Sequence, residues 1–454
     1  MDRFLADDLA DLPGLLQATR DEAVRVLAGL ADRPVAAAPA VPAPAPLPER
    51  GVGTAGALEI FSERWAPGFS GSAGPRYLGF VTGGATPAAL AGDWLTGTFD
   101  QNGSNRTGSS AGALEDETVG WLREMFGLTP AFGGAFVSGA TQSNLVGLAI
   151  ARQWLGEQRG VDVAEQGAAA LGPVTVLSGS AHSSVVKALA VLGLGRGSLQ
   201  PVPTLPGREA VDVRALEEAL AAQDGRPVIV VANAGTVNTV DFDDLRAVAA
   251  LRERYPFWLH VDAAFGGFAA LSPAHAHLVD GLSDADSVCV DLHKWLNVPY
   301  DAAVQFTRRR DLQIAVFRNT APYLGVPEDN PDFVHLTPEN SRRLRALASW
   351  FTLTAYGREG HAEIVTRTTA AAHRLGDLLA TLPGVRLLAP VRLNVVCFSV
   401  PDVPATVQAV ADSGETFLTP TVYQGAPALR AAFSNWRTAD TDVDRIFEAL
   451  RRAV

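Results

Sequence analysis

Lysine is almost missing from this chain. Of 37 basic residues among 454, only Lys187 and Lys294 are lysines. Arginine serves wherever charge alone is needed, so a retained lysine points to chemistry a guanidinium cannot do, such as forming a Schiff base. An isolated lysine is ordinarily a solvated surface residue, but the surroundings of Lys294 argue otherwise. Cysteine is equally scarce. Cys289 and Cys397 each sit in an apolar run, which excludes a disulfide or zinc framework and reads as buried thiols in a reducing compartment. There is no basic excess: the net charge is -12, which argues against a nucleic-acid partner. No apolar run approaches the roughly 18 residues of a membrane span. The start, Met1-Asp2-Arg3, has no secretory pattern. A cytoplasmic, soluble protein is expected, with no metal, membrane or nucleic-acid partner.

What is present is a chain 47% hydrophobic and rich in glycine, long enough for two or three domains. Its centre is the stretch Asp286-Ser287-Val288-Cys289-Val290-Asp291-Leu292-His293-Lys294-Trp295. Val288 to Val290 reads as a short buried strand that ends in a carboxylate, an imidazole and an amine. Desolvation at such a strand end favours the neutral, nucleophilic form of a lysine.

Around it, strands and helices alternate. Strands are expected at Val174–Leu177, Val228–Ala232, Trp258–Val261 and Ala303–Phe306, with helices at Ser183–Leu192 and Asp243–Glu253. Near-continuous apolar strands between helices imply a mostly parallel sheet covered on both faces, and ligands bind at the carboxyl ends of such strands. His182, Thr236, Asp262, His293 and Lys294 fall at those ends. The Gly-rich stretch Gly134 to Asn144 precedes a helical run, Leu145 to Leu155. Free N–H groups and the helix dipole there suit a phosphate, although an ordinary Ser/Thr cap reads the same way. Helices are also expected at Asp11–Ala31, Ser110–Leu128, Ser341–Tyr356, Glu363–Leu382 and Asp442–Arg452, and short strands at Leu387–Leu388 and Val395–Val400. Ala36 to Pro48 is an extended Ala/Pro arm. It and the first helix either wrap a partner subunit or pack on their own domain. Tyr323 to Asn340 is long and polar enough for a mobile active-site flap.

Six stretches together resemble the group II pyridoxal-phosphate (PLP) decarboxylases, which include aromatic amino-acid and glutamate decarboxylases. They are Ser110–Glu115, Val137–Asn144, Ala181–Lys187, His260–Gly267, Asp286–Trp295 and Ser341–Trp350, in the family's order. The resemblance implies an α/β fold of PLP fold-type I, like aspartate aminotransferase. A large domain with a mostly parallel seven-stranded sheet (76–350) would follow an N-terminal helical arm (1–75) and precede a small α+β domain (351–454). It implies a homodimer with active sites at the subunit interface. It further implies that Lys294 holds PLP as a Schiff base and that Asp262 pairs with the pyridine nitrogen. His182 would stack on the ring, unless it is simply a helix cap. Ala140, Thr141 and His293 would take the phosphate, and Thr236 would lie beside the ring or His182. Trp295 packs behind the lysine or is plain core.

The expected activity is decarboxylation of an L-amino acid to the amine and CO2. Many family members carry a loop tyrosine that reprotonates Cα. Counting back from Arg342-Arg343, that position is Phe333, which cannot donate a proton. Loss of the tyrosine accompanies oxidative deamination to an aldehyde in a plant and insect subset, so that outcome is the alternative, with transamination behind it and His335 as a substitute acid. A PLP-binding but silent protein is a third reading, against which the intact Lys294, Asp262 and His182 argue. The usual phosphate stretch here reads Gly139-Ala140-Thr141-Gln142-Ser143, and Val237 replaces a common threonine. Thr82 and Arg106 are candidate substrate residues, Arg106 for a second carboxylate or as a structural arginine.

Overall fold

The computed structural model describes residues 1–36, 41–319 and 330–454. Its centre is a seven-stranded sheet: β1 (Gly133–Val137), β2 (Val176–Ser178), β3 (Leu199–Pro201), β4 (Val228–Asn233), β5 (Phe257–Asp262), β6 (Ser287–Asp291) and β7 (Ala303–Thr307). The spatial order is β1-β7-β6-β5-β4-β2-β3. Neighbours pair parallel from β3 through β6, and β7 runs antiparallel to both β6 and β1. Six strands therefore share one direction. All residues of β4, β5 and β6 are buried, as a sheet covered on both faces requires. Helices Ala111–Met125 and Ala140–Arg159 belong to that cover and bury one long face each.

A second sheet is antiparallel: β8 (Arg386–Leu387), β9 (Val395–Ser399), β10 (Thr419–Tyr423) and β11 (Ala426–Ala432), in the order β10-β11-β9-β8. It packs with helices Val403–Asp412 and Asp440–Ala453 around a core of Val396, Phe398, Leu429 and Ile446. The two sheets are joined by one helix, Ala346–Leu379, broken only at Gly357 with φ 59. The expected gap between helices Ser341–Tyr356 and Glu363–Leu382 shrinks to Gly357 alone, the one residue there that leaves helical φ/ψ.

The glycine-rich stretch from Gly134 is not all turn: Gly133–Val137 is the edge strand β1, paired with β7. The amino-terminal region holds helices Arg3–Ala10, Leu12–Ala28 and Gly53–Arg64. No described helix is long and apolar enough to cross a membrane.

Candidate active site

The carboxyl ends of β2, β4, β5 and β6 open into a cleft of about 340 Å3, lined by His182, Asp262, His293, Lys294 and the turn before helix Ala140–Arg159. Each side chain reaches it for a local reason. β5 ends on Asp262, whose carboxylate accepts from Asn144 Nδ2 at 2.8 Å and from the Ala264 N–H at 3.1 Å. β6 ends on Asp291, and the one-turn helix Leu292–Trp295 then lifts Lys294 to the mouth. Gly83 lies against that turn. A Cβ there would meet the Lys294 carbonyl oxygen at 2.0 Å, so the backbone approach demands glycine.

Lys294 Nζ lies 3.4 Å from Asp291 Oδ2 and 5.6 Å from the Phe265 ring centroid. Asp291 Oδ1 lies 3.0 Å from His293 Nε2. The Ala140 N–H, at the start of a 20-residue helix, donates to Asp291 Oδ2 at 3.3 Å. Burial would push the Asp291 carboxyl up, but Lys294, His293 and this N–H bring it below its ordinary value. His182 caps helix Ser183–Val191, its Nδ1 accepting from the Ser184 N–H at 3.2 Å. It thus serves as cap and cleft residue at once. Burial, with smaller effects of Lys294 and Arg430, pushes its pKa down, against the pull of Asp262, so the ring is neutral near pH 7.

Several expected residues lie elsewhere. Phe333 is fully buried, with the Arg106 guanidinium 4.2 Å from its ring centroid and that of Arg342 5.0 Å away. It belongs to a core with Ala135 and Leu336. In this structure the ring is held as packing. His335 is buried beside it, and its Nδ1 accepts from the Asn319 N–H at 3.0 Å. Arg106 ion-pairs with Asp116 and donates to the Pro331 carbonyl at 2.9 Å, so its charge is spent on clamping this segment rather than on a ligand. The expected flap is therefore packed core from Pro331 to Leu336, because the two arginines and the Asp332 carboxylate, which accepts from the Arg106 N–H at 2.7 Å, pin it. Tyr323 lies outside the described residues. Thr82 is buried and its hydroxyl is 3.3 Å from both the Gly79 carbonyl and Tyr300 Oη. Thr236 is turned from the cleft: its hydroxyl donates to Glu209 at 2.6 Å, and Gly235 and Val237 line the cleft in its place. Trp295 is core, its indole N–H donating to Thr368 at 3.1 Å.

Arg430 was not expected. It stands on β11 and reaches across to line the same cleft. One nitrogen donates to the Val237 carbonyl at 2.5 Å; Nε has no partner among the described residues. The signal was an arginine inside the apolar run Leu429 to Phe433, where burying a charge has to be offset by a partner.

PLP needs an acid for its pyridine nitrogen, a face against the ring, an amine for its aldehyde and an anion site for its phosphate. Asp262, His182, Lys294 and the N-terminus of helix Ala140–Arg159, with the Thr141 hydroxyl beside it, supply that set around one cleft.

Known proteins agree on the family. The family described as pyridoxal-dependent decarboxylase conserved domain matches residues 59–401. An aromatic-L-amino-acid decarboxylase of Bos taurus is 32% identical over 337 residues, 70% of this chain and 68% of its own. An L-2,4-diaminobutyrate decarboxylase of Rhizobium meliloti is 29% identical over 423 residues, 89% of this chain and 83% of its own. In fold, the crystal structure described as Oryza sativa TDC with PLP and tryptamine superposes with a TM-score of 0.91 at 23% identity, covering 100% of this chain and 99% of that one. On the extent of the family match, the chain belongs to the pyridoxal-dependent decarboxylases and is a PLP-dependent carboxy-lyase acting on amino acids.

Proposed function

We propose that this protein converts an L-amino acid to its amine and CO2, with Lys294 as the amine that carries PLP. One observation supports this best: the chain's one cleft lysine shares that cleft with Asp262, His182 and a helix N-terminus. The other lysine, Lys187, is exposed on the helix behind. When bound, PLP supplies the electron sink that makes loss of CO2 feasible.

The chain's own groups do the rest. Asp262 holds the proton on the pyridine nitrogen. The neutral His182 ring covers one face and keeps water from it. Arg430, whose guanidinium lines the cleft, binds the substrate carboxylate. Reprotonation of Cα falls to a tyrosine of the segment after helix Arg310–Phe317. With Phe333 in the core, the only tyrosine in the sequence between Tyr300 and Tyr356 is Tyr323, and we assign it this role. The aldehyde outcome, raised by Phe333 at the counted loop position, stays the alternative that product analysis separates from the amine.

We place the enzyme in the cytoplasm on its two buried free thiols. We also propose a homodimer. Leu5, Leu9, Leu12 and Leu16 of the first two helices are 47–64% exposed, an apolar stripe that a second copy would cover. Sedimentation of a fully active monomer would refute it. The activity is tested by offering aromatic and diamino acids and scoring amine, CO2, peroxide and keto acid. Amine with stoichiometric CO2 supports the reading; peroxide with aldehyde, or keto acid without CO2, overturns it.

A further inference from the structure

A chain of buried hydrogen bonds runs from the far end of the sheet to the cleft. Trp258 Nε1 lies 2.9 Å from Ser287 Oγ, which lies 2.8 Å from His260 Nδ1. His260 Nε2 lies 2.9 Å from Asn144 Oδ1. Asn144 Nδ2 then reaches Asp262 Oδ2 at 2.8 Å and Ser184 Oγ at 3.0 Å, and Ser184 Oγ is 2.7 Å from His182 Nδ1. Asn144, His260 and Ser287 are wholly buried.

The proton positions follow from the two ends of the chain. An indole N–H can only donate, so Ser287 accepts from Trp258; the Asp262 carboxylate takes an Asn144 N–H, so the Asn144 carbonyl faces His260 Nε2, and Nδ1 of the neutral ring takes the Ser287 proton. His260 then carries its proton on Nε2 and donates it to the Asn144 carbonyl. That orients the amide: both hydrogens of Asn144 point at Asp262 and Ser184. Ser184, having accepted, donates to His182 Nδ1, alongside its own N–H. His182 is left with its proton on Nε2. Burial pushes the His260 pKa down to about 4, so the neutral ring this scheme needs persists at ordinary pH. Gly147, one turn beyond Asn144, leaves room for it, since a Cβ there would lie 2.5 Å from His260 Cε1.

We infer that Asn144 is a positioning residue that couples the two groups facing the cofactor ring, orienting the Asp262 carboxylate directly and setting the His182 tautomer through Ser184. The inference rests on the proposed placement of PLP between Asp262 and His182. Nothing else in the described structure bonds to both Asp262 and the Ser184–His182 pair. A carboxylate in place of the amide would face Asp262 across the same 2.8 Å, and two carboxylates that close do not both ionise.

The test uses PLP-loaded enzyme and the Asn144→Asp variant. Two readings are taken: turnover, and the pH dependence of the bound cofactor's visible band. The band reports the electrostatics around the ring, which a merely structural role would leave alone. Asn144→Asp is expected to lower kcat at least about tenfold and to move the pH midpoint of the band by about one unit. Ser184→Ala, which leaves Asp262 bonded, is expected to move the midpoint less. If Asn144→Asp does not fold by circular dichroism, Asn144→Ser, smaller and still a donor, takes the same two readings. A variant that folds, loads PLP and shows the wild-type midpoint and kcat within about twofold overturns the inference. Failure of the underlying placement is separately visible, because wild-type enzyme would then not trap PLP on Lys294 with borohydride.

Discussion

Lys294 and Asp291 face each other at 3.4 Å, and the same Asp291 carboxylate oxygen takes the N–H of Ala140, the first residue of helix Ala140–Arg159. An acidic side chain thus stands beside both the amine and the place where an anion would bind. Asp291→Asn removes that charge while keeping the shape. At these separations one charge is worth about a tenfold change in an equilibrium even with strong screening. We expect the variant to bind PLP more tightly, by about tenfold, in an absorbance titration of the cofactor-free protein. Weaker binding would mean that Asp291 holds the cofactor rather than opposing it.

Arg430 should matter for substrate more than for chemistry. Arg430→Met leaves Val237 without its donor and the cleft without its one buried guanidinium. KM is expected to rise about tenfold or more, with a smaller change in kcat, the pattern of lost binding that is uniform along the reaction. Steady-state kinetics decide it, and an unchanged KM sinks the assignment.

Phe333 and Tyr323 can be separated by product. Phe333→Ala empties a fully buried ring site between two arginines and should destabilise by about 3–5 kcal/mol while still giving amine without peroxide. Tyr323→Phe should remain folded and divert product toward aldehyde and peroxide. Aldehyde and peroxide from the wild type, turned to amine by Phe333→Tyr, would instead put Phe333 at the donor position.

Two histidines make the fold acid-sensitive. Burial holds His260 and His361 down at about 4, below the ordinary 6.5. A base whose folded pKa is depressed adds stability that is present above its unfolded pKa and lost as pH falls through the folded value, here between about 6.5 and 4. Asp243 opposes this over part of the range, because burial raises it to about 6 and favours its neutral form at the lower pH. The clean comparison is therefore a difference. His361→Gln, remote from the cleft, should flatten the stability curve by about 1.4 kcal/mol per pH unit within that window, read by urea unfolding at several pH values. An unchanged slope would mean that His361 is solvated.

The sheet was legible because β4, β5 and β6 are apolar throughout, and the cleft because its residues sit directly after those strands. The edge strand β1 was not, since Gly133-Gly134 gives a turn signal that only pairing with β7 overrides. Nor were β10 and β11, which hold Pro420 and Pro427, both poor markers of a strand. The burial of Phe333 was not legible either. Its clamp by Arg106 joins residues more than two hundred positions apart, through the Arg106–Pro331 bond, and no local pattern encodes that. Asn144 read as a cap-region residue, because its partners His260 and Asp262 come from a strand over a hundred residues on.

The central claim is that Lys294 carries PLP. The most direct test is to add PLP, reduce with borohydride and map the modified peptide by mass spectrometry. The account predicts a visible band that vanishes on reduction, with the label on Lys294 alone. A label on Lys187, or no band with excess PLP, would contradict it.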